Sequence, residues 1–239
     1  MAVKTIRYED LGLQDPMAII GFPSVGLVSS IMANYYAGQL KMTPVAGFAS
    51  NDMPPYSLIN QGMALPPVRV YGRKATTKTG RDVLVCLSEY APKPEQTFEL
   101  AQAILAYLKY MGVKEIVCLD GIAKSSDQDV PVICGSGPGS SKMIKKSKLT
   151  PMENGMVRGM TGVILYEGRE YGMDVVAMMV PANPSLPDPG AAVSFIDPIS
   201  SVVKGLRVNP KPLMAEAEEI SRRLEEATVD NSDNSNYYG

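Results

Sequence analysis

The side chains most often used for proton transfer and metal binding are scarce in this sequence. None of its 239 residues is histidine, which removes imidazole metal sites and His-dependent triads. The three cysteines, Cys86, Cys118 and Cys134, are widely spaced in apolar stretches and form no CxxC pair. They are interpreted as buried, reduced thiols. With no recognisable nucleophile–base set, the sequence predicts a non-enzymatic protein without a metal or cofactor.

Two glycine-containing stretches could contact an anion. In "GFPSVG" (21–26), Gly21, Ser24 and Gly26 lie between an apolar run and a helical pattern, where backbone N–H groups could meet a phosphate or carboxylate. The stretch lacks the GxGxxG spacing, and close helix–sheet packing explains its glycines as well. The second stretch, "GSGPGSSK" (135–142), fails the Walker spacing. It is interpreted as a solvated basic loop, with anion contact as the alternative.

Two acidic residues follow apolar runs, where α/β proteins often place ligand-binding groups. They are Glu89 and Asp120. Asp120 is a candidate for one ligand pocket together with the 21–26 turn. A capping or turn role just before Gly121 is the alternative.

Strand-like and helical patterns alternate along the chain. Strands are predicted at 16–22, 43–50, 67–73, 82–89, 113–121, 129–135 and 173–181. Helices are predicted at 23–40, 93–112, 152–168, 188–206 with a kink near Pro198, and 212–227. This alternation predicts an α/β fold around a mostly parallel sheet.

Helical spacing also predicts which side chains pack inward. In the helix at 93–112 the predicted buried stripe is Phe98, Ala101, Leu105, Leu108 and Met111. In the helix at 152–168 the candidate packing residues are Met156, Met160, Val163 and Leu165.

The composition indicates a soluble globular protein, with 45% hydrophobic and 20% charged residues. A net charge of −2 gives no general attraction to nucleic acid or to anionic membranes. The apolar runs are too short for a membrane span and the N-terminus does not resemble a secretory signal, so a cytoplasmic location is predicted. We expect one domain over 1–227 and a disordered polar tail over 228–239.

The tail ends in two aromatic rings and a carboxylate: Tyr237, Tyr238 and Gly239. A ring-bearing end on a flexible tether can dock in a pocket of another protein, where the carboxylate can pair with a lysine. The alternatives are a chance occurrence or packing of the rings onto the chain's own domain.

Three stretches together resemble the proteasome assembly chaperone superfamily, in particular its archaeal members. The stretch "IIGFPSVGLVSSIMANYYAGQL" is similar to the opening strand–turn–helix of that family, and "NDMPPYSLINQGMALPPVRVY" to its diproline segment. The stretch "GMTGVILYEGREYGMDVVAMMVPANPSLPDPGAAVSFIDPISSVV" is similar to its second half. The likeness covers roughly residues 15–225.

This resemblance implies a three-layer α/β/α domain that forms a homo-oligomer and assists proteasome assembly or activation without ATP. It implies that Tyr237, Tyr238 and Gly239 match the hydrophobic–Tyr–any residue end that inserts between α-subunits of the core particle, alone or with a second chaperone. Tyr237 would give apolar contact, Tyr238 packing and a phenol hydrogen bond, and Gly239 the carboxylate. The alternative, by fold analogy to nucleoside phosphorylases, is a small-molecule-binding protein or enzyme.

Overall fold

The structure is a computed structural model that describes residues 3–126, 128–215 and 217–219. Its strands are β1 (Lys4–Arg7), β2 (Met17–Gly21), β3 (Thr43–Ala49), β4 (Leu58–Asn60), β5 (Met63–Leu65), β6 (Val68–Arg73), β7 (Val83–Ser88), β8 (Glu115–Ala123), β9 (Val132–Ser136), β10 (Thr150–Pro151) and β11 (Asp174–Ala182). Its helices are α1 (Val28–Gln39), α2 (Pro94–Tyr110), α3 (Ser140–Ser147), α4 (Gly159–Glu170), α5 (Pro189–Val193) and α6 (Ile196–Val202). Residues 211–215 and 217–219 are also helical.

Nine strands form one sheet in the order β1-β3-β6-β7-β2-β8-β11-β9-β10, while β4 and β5 form a separate hairpin. The four central strands, β7, β2, β8 and β11, are parallel. Strands β1, β3 and β6 extend one side in antiparallel pairing, and β9 runs antiparallel to β11. The α/β prediction is confirmed, and the sheet is mixed around a parallel centre. The antiparallel side arises where connections without helices return the chain from β3 to β6, through the β4–β5 hairpin, and from β6 to β7.

Helices cover both faces of the sheet, as the three-layer expectation requires. Side chains of β8 alternate between the two faces, so Val117 and Leu119 pack under α1, α3, α5 and α6. Ile116 and Cys118 pack on the opposite face, under α2 and α4. Central strands buried on both faces need a nearly continuous apolar sequence, which explains the pattern of "VLVCLS" in β7.

Two predicted packing residues are instead exposed. In α2, Ala101, Leu105 and Leu108 are buried as predicted, but Phe98 is 42% exposed because the inward stripe runs through Leu100 and Ile104. Met156 is 74% exposed because it precedes α4, which begins only at Gly159. The helical spacing therefore predicted the buried face of α2 correctly except for Phe98. For α4 it predicted a start several residues before the observed one at Gly159.

The segment 135–142 is not the predicted loop. Strand β9 continues to Ser136 and α3 begins at Ser140, so Lys142, Lys145 and Lys146 lie on an amphipathic helix. The buried side chain of Met143 anchors this helix to the core. Periodicity missed α3, β1, β10 and the β4–β5 hairpin, because each is too short to show a repeating pattern.

The helical region at 188–206 consists of two helices, as the predicted interruption suggested. The break lies at Ser194 and Phe195, between α5 and α6, and Pro198 belongs to the first turn of α6. A proline is tolerated there because the N–H groups of a first turn have no intrahelical partner.

The C-terminal part of the chain is described only to residue 219. Leu213, in the helical stretch that follows α6, is 1% exposed and belongs to the core on the α1 face. The predicted domain boundary at 227–228 lies outside the described residues. Within the ranges described, no helix is long and apolar enough to cross a membrane.

Candidate functional site

The 21–26 turn is closely packed at the end of β2. A Cβ atom on Gly21 would overlap the Ser29 carbonyl oxygen and lie 2.6 Å from the Ala33 Cβ, both on α1. Gly26 has φ +62°, and a Cβ there would lie 2.8 Å from the Cβ of Ala182. Both glycines therefore allow the turn to approach neighbouring elements closely, and at Gly26 the left-handed backbone also favours glycine.

Ser24 is occupied within the turn. Its Oγ shares a hydrogen bond of 2.5 Å with the Ser29 Oγ, and it makes no capping bond to the helix. On the neighbouring strand β8, a Cβ added to Gly121 would overlap the Val25 carbonyl oxygen and lie 3.1 Å from the Ser24 Oγ. The turn thus fills the space at the ends of β2 and β8 on this face of the sheet.

Asp120 faces the opposite side of the sheet from that turn. Its Oδ1 accepts a 2.8 Å hydrogen bond from the Gly121 N–H, and its carboxyl group also bonds to Thr161 on α4. Burial raises the pKa of Asp120, while these two hydrogen bonds act in the other direction. The structure therefore brings Gly21, Ser24 and Gly26 together but places Asp120 under α4.

The cysteines have the environment of inert thiols. Burial raises the pKa of Cys86 to about 12 and also raises that of Cys118 and of Cys134. All three are free cysteines, of which Cys86 and Cys118 are buried as predicted and Cys134 is only partly buried. In the described part of the chain, no group of His, Cys, Asp and Glu residues is arranged to hold a metal ion.

An ion pair on the α1 face joins Glu89, which the sequence analysis named as an acid at a possible ligand-binding position, to Arg69, which it missed. Arg69, on β6, is only 4% exposed. Its Nη1 donates to Glu89 Oε2 at 2.7 Å and its Nη2 to Glu89 Oε1 at 2.6 Å. The strand-like run places Arg69 on the face opposite Val68 and Val70, but only the structure shows that α1 covers that face.

The ion pair extends into a polar network that joins three further groups. Asn34 of α1 donates through Nδ2 to Glu89 Oε1 at 3.0 Å. Arg69 Nε donates to the Tyr71 Oη at 3.1 Å, and the same oxygen accepts from Asn60 Nδ2 of the hairpin at 3.1 Å. Burial by itself would raise the pKa of Glu89, but the hydrogen bonds and charge of Arg69 hold it below its usual value. The network therefore ties β6, β7, α1 and the hairpin together.

A cleft opens beside this network, between α1 and the β4–β5 hairpin. It has a volume of about 630 Å³, within the range of small-molecule sites. Twelve residues line it: Glu9, Asn34, Ala37, Gly38, Lys41, Met42, Thr43, Pro44, Asn60, Gln61, Met63 and Tyr71. The predicted docking residues Tyr237, Tyr238 and Gly239 lie outside the described residues.

The fold and its site identify a class: a three-layer α/β/α domain with a mixed sheet and no recognisable catalytic centre in its described part. Comparison with known proteins gives the family, since the PAC2 family model matches residues 18–228. The chain belongs to the PAC2 family.

Similar proteins come from archaea. An uncharacterized protein of Methanocaldococcus jannaschii, MJ0106, is 25% identical over 227 residues, covering 94% of this chain and 90% of that protein. The crystal structure of Pyrococcus furiosus PbaA, an archaeal homolog of proteasome-assembly chaperone, matches with a TM-score of 0.84 and 26% identity, over 98% of this chain and 94% of that one. Pyrococcus furiosus PbaB, an archaeal proteasome activator, shares the fold with a TM-score of 0.82 at 21% identity. The match covers 95% of this chain and 98% of that one.

Proposed function

We propose that this protein is a cytoplasmic, ATP-independent proteasome assembly chaperone or activator that docks on α-subunits of the core particle through Tyr237, Tyr238 and Gly239. The observation that carries the proposal is the similarity to PbaA, the archaeal homolog of proteasome-assembly chaperone, at 26% identity over 98% of the chain. PAC2 family membership over residues 18–228 supports the same class of function.

The C-terminal residues supply the means of docking in this proposal. Two tyrosines offer apolar area with few rotatable bonds, and a terminal carboxylate can pair with a lysine of the partner. Residues 228–239 serve as the tether, since eight of these twelve are Asp, Asn, Ser or Thr and only one, Val229, is aliphatic. One such end contributes only a few kcal/mol at most and loses tail entropy on docking.

Useful affinity therefore calls for several tails acting together. A homo-oligomer that presents its tails to a rotationally symmetric ring satisfies this requirement. A second chaperone as an additional partner is the other arrangement that would supply the missing affinity.

The test is a pull-down of core particle and of isolated α-subunits. It compares the full chain with a chain that lacks residues 237–239. We expect the full chain to retain the α-subunits and the shortened chain to lose them. Equal retention by both would remove the C-terminus from the mechanism, and retention by neither would contradict docking without a partner chaperone.

The small-molecule alternative built on the 21–26 turn and Asp120 gains no support from the geometry. The turn is packed against α1 and β8, and Asp120 lies on the other face of the sheet. We do not propose it as a second function.

A further inference from the structure

We propose that the cleft between α1 and the β4–β5 hairpin binds short peptides, with a peptide carbonyl at Tyr71, the peptide carboxylate at Lys41 and its amino group at Glu9. This inference is independent of docking on the proteasome, because it rests on residues that line the cleft and not on Tyr237, Tyr238 or Gly239. It begins with the hydrogen bonds of Tyr71.

The Tyr71 phenol has a hydrogen to donate into the cleft. Its oxygen already accepts from Arg69 Nε and from Asn60 Nδ2, both at 3.1 Å. A phenol has one O–H donor besides its acceptor lone pairs, so the hydrogen must point to a third atom. No described residue accepts it, although Tyr71 is only 5% exposed and lines the cleft. A buried donor without an acceptor is costly, and a ligand carbonyl would satisfy it.

The surrounding network fixes this donor in position. Arg69 is held at both ends of its guanidinium by Glu89, and it donates to Tyr71 from the third nitrogen. The positive charge of Arg69 is balanced by Glu89. The network therefore holds Tyr71 in place. It presents a neutral hydrogen-bond donor to the cleft rather than a net charge.

The walls of the cleft combine both signs of charge with apolar contact. Lys41 and Glu9 line the same cleft and are exposed to solvent. A ligand that carries an ammonium group and a carboxylate complements this pair. Ala37, Met42 and Met63 line the same cleft and offer apolar surface for side chains. A free amino acid would fill little of about 630 Å³, whereas a tripeptide uses the volume and supplies internal carbonyls.

The experiment is calorimetric titration of the full chain with trialanine and with trialanine blocked at both ends by acetyl and amide groups. We expect the free peptide to bind at least about tenfold more tightly than the blocked peptide, since blocking removes two charge-assisted contacts. No binding at about 10 mM peptide, or equal binding of both peptides, would overturn the proposal.

Tyr71→Phe should weaken trialanine binding by about fivefold to tenfold, because it removes the hydrogen bond to the peptide carbonyl. It also removes the acceptor of Arg69 Nε and Asn60 Nδ2, so the melting temperature of the variant is measured beside its affinity. The matched control is Tyr36→Phe on α1, where the buried phenol has no hydrogen-bond partner among the described residues and is not in the cleft lining. Lys41→Met should weaken the free peptide and leave the blocked peptide unchanged. If Tyr71→Phe binds trialanine as wild type does while both variants melt like wild type, the phenol is not the contact and the proposal fails.

Discussion

Arg69 shows how a single residue organises one side of this molecule. A buried guanidinium is tolerated only where its N–H groups are satisfied and its charge is balanced, and Glu89, Tyr71, Asn34 and the Pro67 carbonyl do this. Two of these partners are distant in sequence, since Asn34 lies on α1 and Glu89 follows β7. The ion pair therefore acts as a junction between the sheet, α1 and the hairpin.

Removing the charge of Glu89 should destabilise the fold. We expect Glu89→Gln to lower the free energy of unfolding by about 2 kcal/mol, below the usual cost for a fully buried pair because the Glu89 side chain is 39% exposed. Urea denaturation at pH 7 measures the change. Glu170→Gln, at the exposed end of α4, is the control and should change stability by less than about 0.5 kcal/mol.

The same pair predicts a pH dependence. The pKa of Glu89 is lower in the folded protein than in the unfolded chain, where it is about 4.3. The contribution of Glu89 to the free energy of unfolding is therefore complete above the unfolded pKa. It is lost as the pH falls through the folded pKa. The stability difference between wild type and Glu89→Gln should therefore shrink below about pH 4. An undiminished difference at about pH 3 would show that the loss does not come from the ionised pair.

Gly21 and Gly38 differ in whether the surrounding structure leaves room for a Cβ atom. We expect Gly21→Ala to cost about 3 kcal/mol or more, since its Cβ would overlap backbone of α1. A Cβ on Gly38 meets nothing within 4 Å, so Gly38→Ala in α1 should stabilise the protein by about 0.5–1 kcal/mol. Thermal melting distinguishes them, and similar melting temperatures for the two variants would refute the packing role of Gly21.

The longer elements could be predicted from the sequence, and the shorter ones could not. The helix at 94–110 and the apolar central strands carry enough repeats for periodicity to be visible. The β4–β5 hairpin has strands of three residues, and α3 has eight. The hairpin is held by a long-range bond from Asn60 to Tyr71 and by the buried Leu65, which no local pattern reveals. Three of the twelve residues that line the candidate cleft, Asn60, Gln61 and Met63, belong to this hairpin, so the cleft could not be predicted either.

The helical stretch after α6 is predicted to be part of the folded domain. Leu213 is 1% exposed within the core, whereas its neighbour Met214 is 47% exposed. We expect Leu213→Ala to cost about 2–5 kcal/mol and Met214→Ala less than about 0.5 kcal/mol. Chemical denaturation measures both. Equal, small effects would show that this stretch does not stabilise the domain.

At the scale of the whole molecule, the proposed function requires an assembly with several C-termini. We predict a native mass that is a multiple of the 25.7 kDa chain, measured by light scattering after size-exclusion chromatography. The chain lacking residues 237–239 should have the same oligomer number, because the proposal assigns these residues to docking and not to self-association. A monomeric mass at micromolar concentration would contradict multivalent docking.

The central claim is that the C-terminal carboxylate of Gly239, following Tyr238, docks on the proteasome core particle. The most direct measurement compares binding of core particle to the full chain and to the same chain extended by one alanine after Gly239. The extension keeps every existing residue and shifts only the carboxylate. We predict that the extended chain loses at least about tenfold in affinity. Equal affinity of the two chains for the core particle would contradict the claim.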